Sequence, residues 1–407
     1  MIMKVDVLVV GLGPAGASTL KNLTKIAGKD LSILGIDKRE RPGFPVQCGE
    51  FMPSPEEMAI LTPDVPDALN FYTFESKYIS SRTNRISFHS PMGKIIQTPF
   101  EGYTLHRGAW NEDLLISAEK AGAQIWRSAR AVNKVKNSVW ISREGSTPEP
   151  IKAQVIVGAD GARSRIARWT GLSEKRNTEH FVYAKQHVMT NIDSPDYDPT
   201  DIQMFFGENY APGAYAWVIP KNGNTANVGV GLRTPMTKGK ITVSKALENF
   251  TSEHPFVSEL LQSATIDSTI GGLVPVGLPL KKTVDEQSNT LLVGDSACQV
   301  VSSVGGGIPT SMVAGSIVAE SIHNYLTGNG SLLDYQTKWK EQMMTMFTRA
   351  YKLRRLFDKI SSGRDSQVQW YLNRLKSSDV NAVVHCRVPL KVTLAFPFIK
   401  YLNAFLN

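Results

Sequence analysis

The sequence has little cysteine and no long apolar run. Its three cysteines, Cys48, Cys298 and Cys386, are odd in number and far apart, which argues against a disulfide framework and against a zinc site. No apolar run approaches the roughly 20 residues of a membrane-spanning helix. The apolar run near the N-terminus fits a first strand better than a signal peptide. We therefore expect a folded chain in a reducing, cytoplasmic compartment, without a bound metal.

The first 330 residues also lack an excess of either charge, with 32 basic and 32 acidic residues. A basic groove for nucleic acid is therefore not expected there. The net charge of +8 comes from residues 331–407, which hold 13 basic and 5 acidic residues. Four basic residues lie close together in this tail, namely Arg349, Lys352, Arg354 and Arg355. The tail is either a solvated helical face or a surface that attracts an acidic partner or an anionic membrane.

The end of the tail is apolar. Its large apolar residues could insert into a membrane or cover the core, and Pro397 favours the core because it interrupts any single amphipathic helix. These residues are Leu394, Phe396, Phe398, Ile399, Leu402 and Phe405. We expect the tail to close an apolar channel and to help the protein work at a membrane surface.

Residues 1–37 follow the order of a dinucleotide-binding unit: strand, glycine loop, helix, strand and acid. Gly11 permits the tight turn, Gly13 lets the backbone approach a pyrophosphate, and Gly16 lets the helix pack closely on the sheet. The helix N-terminus faces the phosphates with N–H groups and a positive dipole end. Asp37 lies 21 positions after Gly16. A carboxylate at this position accepts hydrogen bonds from the ribose hydroxyls. It also repels a 2′-phosphate, so NADP is disfavoured.

Further along the chain, strands and helices are predicted from hydrophobic periodicity and turn residues. Strands are expected at 85–89, 124–126, 132–135, 139–142, 154–157, 182–189, 202–206, 214–219, 226–232 and 290–293. Helices are expected at 109–121, 243–252, 255–263 and 308–326, with a helical region after residue 330. The fold class is α/β: a Rossmann-like domain with an inserted antiparallel sheet domain and a C-terminal helical region.

The predicted domains are discontinuous in sequence. Residues 1–70, 103–175 and 270–330 are expected to form the dinucleotide-binding domain, residues 71–102 and 176–269 the substrate domain, and residues 331–407 the C-terminal helical region.

Three later stretches, with the opening fingerprint, resemble the FAD-binding set of the p-hydroxybenzoate-hydroxylase-type flavoproteins. They are Arg107, residues 158–164 and Gly294-Asp295. The resemblance implies that Asp295 bonds the ribitol, that Arg107 lies along the ribitol and pyrophosphate, and that residues 160–161 approach the adenine half. Taken alone, Gly294-Asp295 could be an ordinary turn at a strand end.

The resemblance implies FAD as the cofactor. Three glycines before the predicted helix at 308 would direct N–H groups toward the flavin N1 edge. The full set of expected cofactor contacts is Gly11, Gly13, Ala15, Gly16, Asp37, Lys38, Cys48, Gly49, Arg107, Ala131, Asp160, Gly161, Gly294, Asp295, Gly305, Gly306, Gly307 and Ile308.

Two stretches resemble one family within that class, the geranylgeranyl reductases. Residues 45–50, P-V-Q-C-G-E, are similar to their Cys-Gly-Glu loop, and residues 211–220, A-P-G-A-Y-A-W-V-I-P, to their Pro-Gly-Gly-Tyr-x-Trp-x-Phe-Pro signature. Ala214 replaces a glycine and Ile219 a phenylalanine. The second change also resembles flavin-dependent halogenases, which carry Trp-x-Trp-x-Ile-Pro. Tyr215 and the Cys-Gly-Glu loop favour the reductases.

The resemblance implies a reductase that hydrogenates isolated double bonds of a polyprenyl chain in membrane ether-lipid biosynthesis. Cys48, Tyr215 and Trp217 are the expected catalytic residues. The two rings alternate on one strand, so they line a channel or belong to an inward-facing core. Cys48 is either a proton donor or a small buried hydrophobe. The alternatives are a monooxygenase or halogenase and a flavin electron carrier; NADPH or a ferredoxin-like protein would deliver the electrons.

Overall fold

The computed structural model describes residues 2–173, 178–237, 239–361 and 364–389. The strands in these ranges are numbered in chain order. They are β1 (Met3–Val10), β2 (Ile33–Ile36), β3 (Phe51–Pro53), β4 (Ile79–His89), β5 (Ile95–Leu105), β6 (Gln124–Trp126), β7 (Ala129–Val135), β8 (Ser138–Arg143), β9 (Glu149–Gly158), β10 (Phe181–Thr190), β11 (Asp201–Phe205), β12 (Ala216–Lys221), β13 (Thr225–Leu232), β14 (Thr265–Pro275), β15 (Val284–Asp285) and β16 (Thr290–Leu292).

The α-helices of the same ranges are α1 (Pro14–Ala27), α2 (Pro55–Leu61), α3 (Ala68–Phe71), α4 (Arg107–Lys120), α5 (Arg165–Trp169), α6 (Thr234–Thr237), α7 (Val243–Ser252), α8 (Pro255–Leu260), α9 (Ile308–Leu326), α10 (Leu333–Ser361), α11 (Asp365–Asn373) and α12 (Ser377–Val384). The helices predicted at 243–252 and 308–326 have the predicted bounds. The strand predicted at 214–219 begins two residues later, at Ala216.

The chain divides into two units. Unit 1 comprises Met1–Val46, Arg107–Arg176 and Gly277–Phe347. Its sheet has the order β15-β16-β9-β1-β2-β6, and the pairings from β16 to β6 are all parallel. The β7–β8 hairpin joins this sheet antiparallel to β9. Strands buried on both faces are apolar throughout, which explains the uninterrupted run that ends β1.

Helices α1 and α9 of unit 1 pack against each other through small residues. A Cβ on Gly315 of α9 would lie 2.7 Å from the Cβ of Ser18 on α1. Nearer the start of both helices, a Cβ on Gly294 would meet both Ala15 of α1 and Ser311 of α9. The contacts advance in the same direction along both helices. The two helices therefore run parallel, and both begin at the edge where β1 and β16 end.

Unit 2 comprises Gln47–His106, Asn177–Val276 and Thr348–Asn407. Its sheet has the order β14-β10-β13-β12-β11-β4-β5-β3. All pairings are antiparallel except that of β11 with β4. One face packs on α7 and α8 through a cluster that includes Ala216 and Val218 of β12 and Val228 and Val230 of β13. The fold class is thus the predicted one, with a Rossmann-like part and an antiparallel sheet part.

The units differ from the predicted domains in four places. Two are short: residues 103–106 and 270–276 were assigned to the dinucleotide-binding domain but fall in unit 2. Residues 47–70 were assigned to the dinucleotide-binding domain, but the structure groups them with unit 2 because β3 pairs with β5. Residues 331–407 were assigned to a separate helical region. The structure instead divides them after Phe347, so that α10 begins in unit 1 and ends in unit 2.

Candidate active site

The loop between β1 and α1 requires glycine at two fingerprint positions for packing reasons. Gly11 has a φ of +94°, and a Cβ there would lie 2.4 Å from the carbonyl oxygen of Ala159. A Cβ on Gly16 would lie 1.9 Å from the carbonyl oxygen of Gly11. Gly13 is different, because a Cβ there meets no protein atom within 4 Å. The backbone at Gly13 is thus open to close approach, as a pyrophosphate requires.

Asp37 fastens the glycine loop to the end of β2. Its Oδ2 accepts a hydrogen bond from the N–H of Leu12 at 2.8 Å, and its Oδ1 accepts one from the N–H of Arg39 at 2.9 Å. A carboxylate has about four acceptor positions. Asp37 can therefore accept ribose hydroxyls in addition to these two bonds, and this role stays a prediction. The neighbouring Lys38 is exposed.

Helix α4 supplies two buried side chains that hold loops at this edge. Arg107 donates from Nη2 to the carbonyl oxygen of Gly43 at 2.9 Å. One turn later, Asn111 donates from Nδ2 to the carbonyl oxygen of Leu12 at 3.0 Å. The sequence reasoning identified Arg107 and missed Asn111. The i, i+4 spacing of the two residues was the available signal, because it places both side chains on one helical face.

Asp160, after the end of β9, caps helix α5. Its carboxylate accepts hydrogen bonds from the N–H of Arg165 at 2.6 Å and from the hydroxyl of Ser164. Burial raises the pKa of Asp160, and these hydrogen bonds oppose the rise. The carbonyl oxygen of Ala131 accepts from the Arg165 guanidinium at 3.1 Å. The side chain of Asp160 is therefore used within the fold, and any contact with an adenine half falls to the backbone of Asp160 and Gly161.

Gly294, after β16, is held from behind by a buried hydrogen-bond network. Its φ is +67°, and a Cβ there would lie 2.7 Å from the Cβ of Ala15. Its N–H donates to Oε1 of Gln299 at 2.8 Å, and Nε2 of Gln299 donates to the hydroxyl of Tyr335 at 3.0 Å. The close approach of Gly294 to Ala15, at the start of α1, therefore requires a glycine at this position. Gly294 is more than an ordinary turn at a strand end.

Asp295 and the start of α9 lie close together. A Cβ on Gly307 would be 3.4 Å from Oδ1 of Asp295. Gly305 has a φ of +70°, and the carbonyl oxygen of Gly306 accepts from the N–H of Val301, so the three glycines turn the chain into α9. Ile308 is the first residue of this helix, whose first N–H groups have no partner within it.

Unit 1 therefore meets the requirements of a flavin dinucleotide. Helices α1 and α9 begin at the same sheet edge, so two positive dipole ends and their N–H groups are available to anionic groups. Gly13 leaves room for a pyrophosphate beside one of these helix ends. Asp37 and Asp295 place carboxylates at two points of the same edge, where hydroxyl groups on both sides of a pyrophosphate need acceptors. The residues present fit FAD.

In unit 2, the loop of residues 48–50 lies along one face of β12. A Cβ on Gly49 would lie 2.9 Å from Cδ1 of Ile219. The Glu50 carboxylate forms an ion pair with Lys221, two residues further along the same face. The loop therefore runs parallel to β12, with Cys48 toward the beginning of the strand.

Cys48 is half-buried and held at both its carbonyl group and its sulfur. Its carbonyl oxygen accepts a hydrogen bond from Nε2 of Gln186 at 2.9 Å. The amide oxygen of the same Gln186 accepts from the indole N–H of Trp217 at 3.2 Å. The sulfur of Cys48 accepts from the N–H of Glu50 at 3.2 Å. Gln186 and Glu50, which the sequence reasoning did not identify as site residues, thus orient the predicted catalytic cysteine.

Tyr215 and Trp217 face the same side of the sheet, as their alternation predicts. Their ring centroids are 5.9 Å apart at an interplanar angle of 64°. Both are half-buried, whereas Ala216 and Val218 are buried on the opposite face. Burial raises the pKa of Tyr215, and the nearby Cys48 raises it further, so the phenol stays protonated. The catalytic roles of Tyr215 and Trp217 stay predictions.

The face with Tyr215 and Ile219 carries an apolar cluster that helices α11 and α12 help to build. The strands and helices contribute aromatic and aliphatic side chains that match the chemistry of a hydrocarbon chain. Its buried members are Ile86, Phe88, Ile96, Phe100, Ile202, Met204, Phe206, Val368, Leu372, Val380 and Val384.

The predicted basic surface of the tail needs one correction. Arg349, Lys352 and Arg355 are exposed, but Arg354 is buried. Its Nη1 lies 3.5 Å from the Asp358 carboxylate, which also pairs with Arg233 of unit 2. Burial lowers the pKa of Arg354. The predictions for Pro397 and the large apolar residues at the end of the chain lie outside the described residues; those residues are Leu394, Phe396, Phe398, Ile399, Leu402 and Phe405.

Metal ligands and membrane spans were also sought in the described part of the chain. No group of three or more histidine, cysteine, aspartate or glutamate side chains there could hold a metal ion. None of its helices combines the length and the apolar character needed to cross a bilayer.

The sequence of this chain is similar to one family model and to several reductases. Residues 181–274, from β10 to β14, match the family model described as the geranylgeranyl reductase catalytic domain. A digeranylgeranylglycerophospholipid reductase of Methanopyrus kandleri is 31% identical over 370 residues, which cover 88% of each chain.

Two solved structures have a similar fold. A geranylgeranyl bacteriochlorophyll reductase-like protein from Thermoplasma acidophilum aligns over 100% of both chains with a TM-score of 0.80 and 23% identity. A flavin-dependent brominase aligns over 94% of this chain and 92% of its own, with a TM-score of 0.63 and 16% identity. At these sequence identities, the similarity to the two structures shows the fold alone.

Proposed function

Because the chain belongs to the geranylgeranyl reductase family, we propose that it hydrogenates the double bonds of the polyprenyl chains of a digeranylgeranyl glycerophospholipid, with FAD as its cofactor. The observation that carries this proposal is the similarity, over most of both chains, to a reductase named for that lipid. The reaction places the protein among the oxidoreductases of archaeal-type membrane lipid biosynthesis.

Unit 1 would hold FAD through its backbone. The N–H groups at the starts of α1 and α9 would bind the pyrophosphate and the flavin edge, and Asp37 and Asp295 would accept hydroxyl groups of the ribose and the ribitol. Arg107, fixed by Gly43, would lend positive charge to the same edge. Bound FAD, in its reduced form, supplies a hydride to one carbon of the double bond.

Unit 2 would supply the proton for the other carbon. In this proposal the S–H proton of Cys48 is transferred to that carbon, the sulfur keeps the electron pair, and water later returns a proton to it. The N–H of Glu50, 3.2 Å from the sulfur, supports this role because it stabilises negative charge there. Gln186 supports it by fixing the Cys48 carbonyl group.

The apolar cluster beside Tyr215 would bind the polyprenyl chain. Tyr215 and Trp217 would form an aromatic wall on which an alkene packs, and their polar atoms are turned to partners within the protein, such as Gln186 for the indole of Trp217. Helices α11 and α12 would cover the bound chain from water, since they contribute Val368, Leu372, Val380 and Val384 to the same cluster.

Anaerobic turnover tests the proposal. The purified yellow protein is reduced with dithionite and incubated with a digeranylgeranyl glycerophospholipid, and the lipid is analysed by mass spectrometry. We expect a gain of two hydrogens for each reduced bond without oxygen. Parallel reactions with NADPH or a reduced ferredoxin identify the electron donor. A strict need for oxygen would instead indicate a monooxygenase or halogenase, and a reducible flavin without lipid product would indicate an electron carrier.

We also propose that the second half of α10 brings the enzyme to its insoluble substrate. Arg349, Lys352 and Arg355 are exposed at intervals of three residues on one side of the helix. Near an anionic leaflet, each basic residue contributes about 1 kcal/mol to binding. Exposed apolar side chains are also present at Met92, in the turn between β4 and β5, and at Ile95, the first residue of β5, which are 65% and 49% exposed. Exposed basic and apolar side chains of these kinds suit reversible binding to an anionic bilayer.

A further inference from the structure

Glu50 is buried beside Cys48, and the reaction described above uses only its backbone N–H group. The Glu50 side chain is 5% exposed, and its φ is +66°. That φ lies in the left-handed region, which residues other than glycine adopt at an energetic cost. A buried carboxylate on a strained backbone persists only where surrounding contacts hold both in place.

Two neighbouring strands supply those contacts. Lys221 on β12 forms an ion pair with the Glu50 carboxylate, and the Lys221 side chain is itself only 16% exposed. Asn227 on β13 donates from Nδ2 to the Glu50 carboxylate at 3.2 Å and to the carbonyl oxygen of Gly49 at 3.0 Å. Because every residue of β12 is paired with β13, Lys221 and Asn227 form a rigid support for residues 49 and 50.

This support sets the direction of one N–H bond. With residue 50 in the left-handed conformation, its N–H points at the sulfur of Cys48, 3.2 Å away. A donor at that position stabilises the thiolate relative to the thiol. We infer that Glu50, Lys221 and Asn227 are positioning residues that hold the Glu50 N–H on the Cys48 sulfur and so set how readily Cys48 releases its proton. The inference rests on the proposed role of Cys48 as the proton donor.

A direct charge effect is the competing explanation, and it predicts different signs. By charge alone, the Glu50 carboxylate opposes a thiolate at Cys48, while the Lys221 ammonium favours it. Glu50→Gln would then make the thiol more acidic, and Lys221→Met less acidic. If the two residues act by positioning the N–H group, both substitutions release the loop, and both make the thiol less acidic.

The rate of alkylation of Cys48 by iodoacetamide as a function of pH separates the two explanations. The full-length, FAD-loaded protein is used, and the modified peptides are counted by mass spectrometry, because Cys298 and Cys386 are buried and give separate signals. We expect both Glu50→Gln and Lys221→Met to move the midpoint to higher pH and to slow alkylation at neutral pH by about two- to tenfold, as expected for one lost hydrogen bond. Shifts of opposite sign would overturn the inference.

A second pair of variants tests the backbone directly and does not depend on how well Glu50→Gln folds. Glycine adopts a positive φ without strain, and Asn227 still binds the Gly49 carbonyl oxygen, so Glu50→Gly keeps the N–H group in place without the carboxylate. Alanine does not, so Glu50→Ala loses both. We expect the midpoint for Glu50→Gly to stay at or below that of the wild type, and the midpoint for Glu50→Ala to rise. Equal midpoints would overturn the inference.

Controls separate this inference from the proposed function. Lys245→Met removes an exposed ion pair with Glu248 in the same unit and should leave the alkylation profile unchanged. Turnover of Cys48→Ser tests the proton-donor role itself. If Cys48→Ser turns over normally, that role fails, while the alkylation midpoints still decide the positioning. If Cys48→Ser is slow but the four variants at positions 50 and 221 leave the midpoint unchanged, the positioning fails and the proposed function stands.

Discussion

The two units carry their chemistry in different parts of the chain. In unit 1, the groups that fit FAD are mainly backbone N–H groups and glycine positions such as Gly13 and Gly294, at the ends of parallel strands. In unit 2, the groups assigned to the reaction are side chains: Cys48 on a loop, Tyr215 just before β12 and Trp217 on β12. A backbone site is sensitive to any added atom, whereas a side-chain site is sensitive to the identity of a functional group.

The difference also determines how each site is supported. At the glycine loop, Asp37 and Asn111 bind the N–H group and the carbonyl oxygen of the same residue, Leu12, and so fix the main chain. In unit 2, Gln186 binds both the Cys48 carbonyl oxygen and the indole of Trp217, and so couples two catalytic candidates. Substitutions in unit 1 should therefore act on cofactor content and folding, and those in unit 2 on rate.

The largest effect is expected from the glycine loop, where two neighbouring glycines should fail differently. A side chain at Gly16 collides with the Gly11 carbonyl oxygen, so Gly16→Val should lower the free energy of unfolding by about 3 kcal/mol or more. Gly13 has a φ of −70° and no protein atom within 4 Å of an added Cβ. Gly13→Val should therefore fold like the wild type and yet bind no FAD.

Urea unfolding and flavin absorbance measure these two outcomes. Asp295→Ala, which changes a carboxylate at the same edge, is a companion variant and should also lose FAD. A yellow Gly13→Val protein, or equal loss of stability in Gly13→Val and Gly16→Val, would show that the two glycines do not differ as the structure indicates.

The next largest effect concerns rate in unit 2. Cys48→Ser should keep its FAD but reduce double bonds about 10²- to 10⁴-fold more slowly, because a hydroxyl is a much weaker acid than a thiol. Turnover per bound flavin is the measurement. Cys386→Ser, a buried cysteine on the chain after α12, is the matched control and should keep its turnover. Unchanged turnover in Cys48→Ser would make Cys48 a packing residue.

Unit 1 was the more predictable unit, because its signals are local. The glycine spacing, the acid after the second strand and the apolar run of α9 each lie within a short segment, and the helix at Ile308–Leu326 has the predicted bounds. Parallel strands then bring their carboxyl ends to one edge. Asn111 was missed because its spacing from Arg107 does not identify its partner, the Leu12 carbonyl oxygen, which lies in a distant loop.

Unit 2 was less predictable, because its site depends on pairing between distant segments. Residues 47–70 were assigned to the other domain, since nothing local shows that β3 pairs with β5. Arg354 was taken for a surface residue, since its burial involves Asp358 one turn later and Arg233 just after β13. The alternation of Tyr215 and Trp217 was readable because it is a property of one short extended segment, although β12 itself begins at Ala216.

A smaller effect is expected on the free energy of unfolding at acidic pH, because His89, a buried side chain of unit 2, has a lowered pKa. His89 stacks on Phe205 at 4.1 Å, and burial, followed by repulsion from His254, lowers the pKa of His89 from 6.5 to about 4. The unfolded chain therefore takes up a proton at higher pH than the folded one. The free energy of unfolding should be at its full value above pH 6.5 and fall by up to about 3 kcal/mol as the pH decreases toward 4.

Urea unfolding at several pH values measures this loss. His89→Phe keeps an aromatic ring in the stack without a titrating group, so its stability should depend less on pH between 6.5 and 4. An unchanged pH dependence in His89→Phe would assign the acid sensitivity to other groups.

The smallest effect per residue is expected at the membrane, where the units should again differ. Arg349→Glu/Arg355→Glu reverses two exposed charges on the unit 2 half of α10, and Arg354 is left unchanged because it is buried. At about 1 kcal/mol for each charge, we expect binding to anionic vesicles to weaken at least about tenfold. Lys21→Glu/Lys25→Glu, which reverses two exposed charges on α1 of unit 1, is the matched control and should bind like the wild type.

Co-sedimentation with vesicles at low and high salt is the measurement, because salt screens such attraction beyond a Debye length of about 8–10 Å. Binding that is indifferent to salt, or equally weakened by both double variants, would assign the α10 charges to an ordinary solvated face.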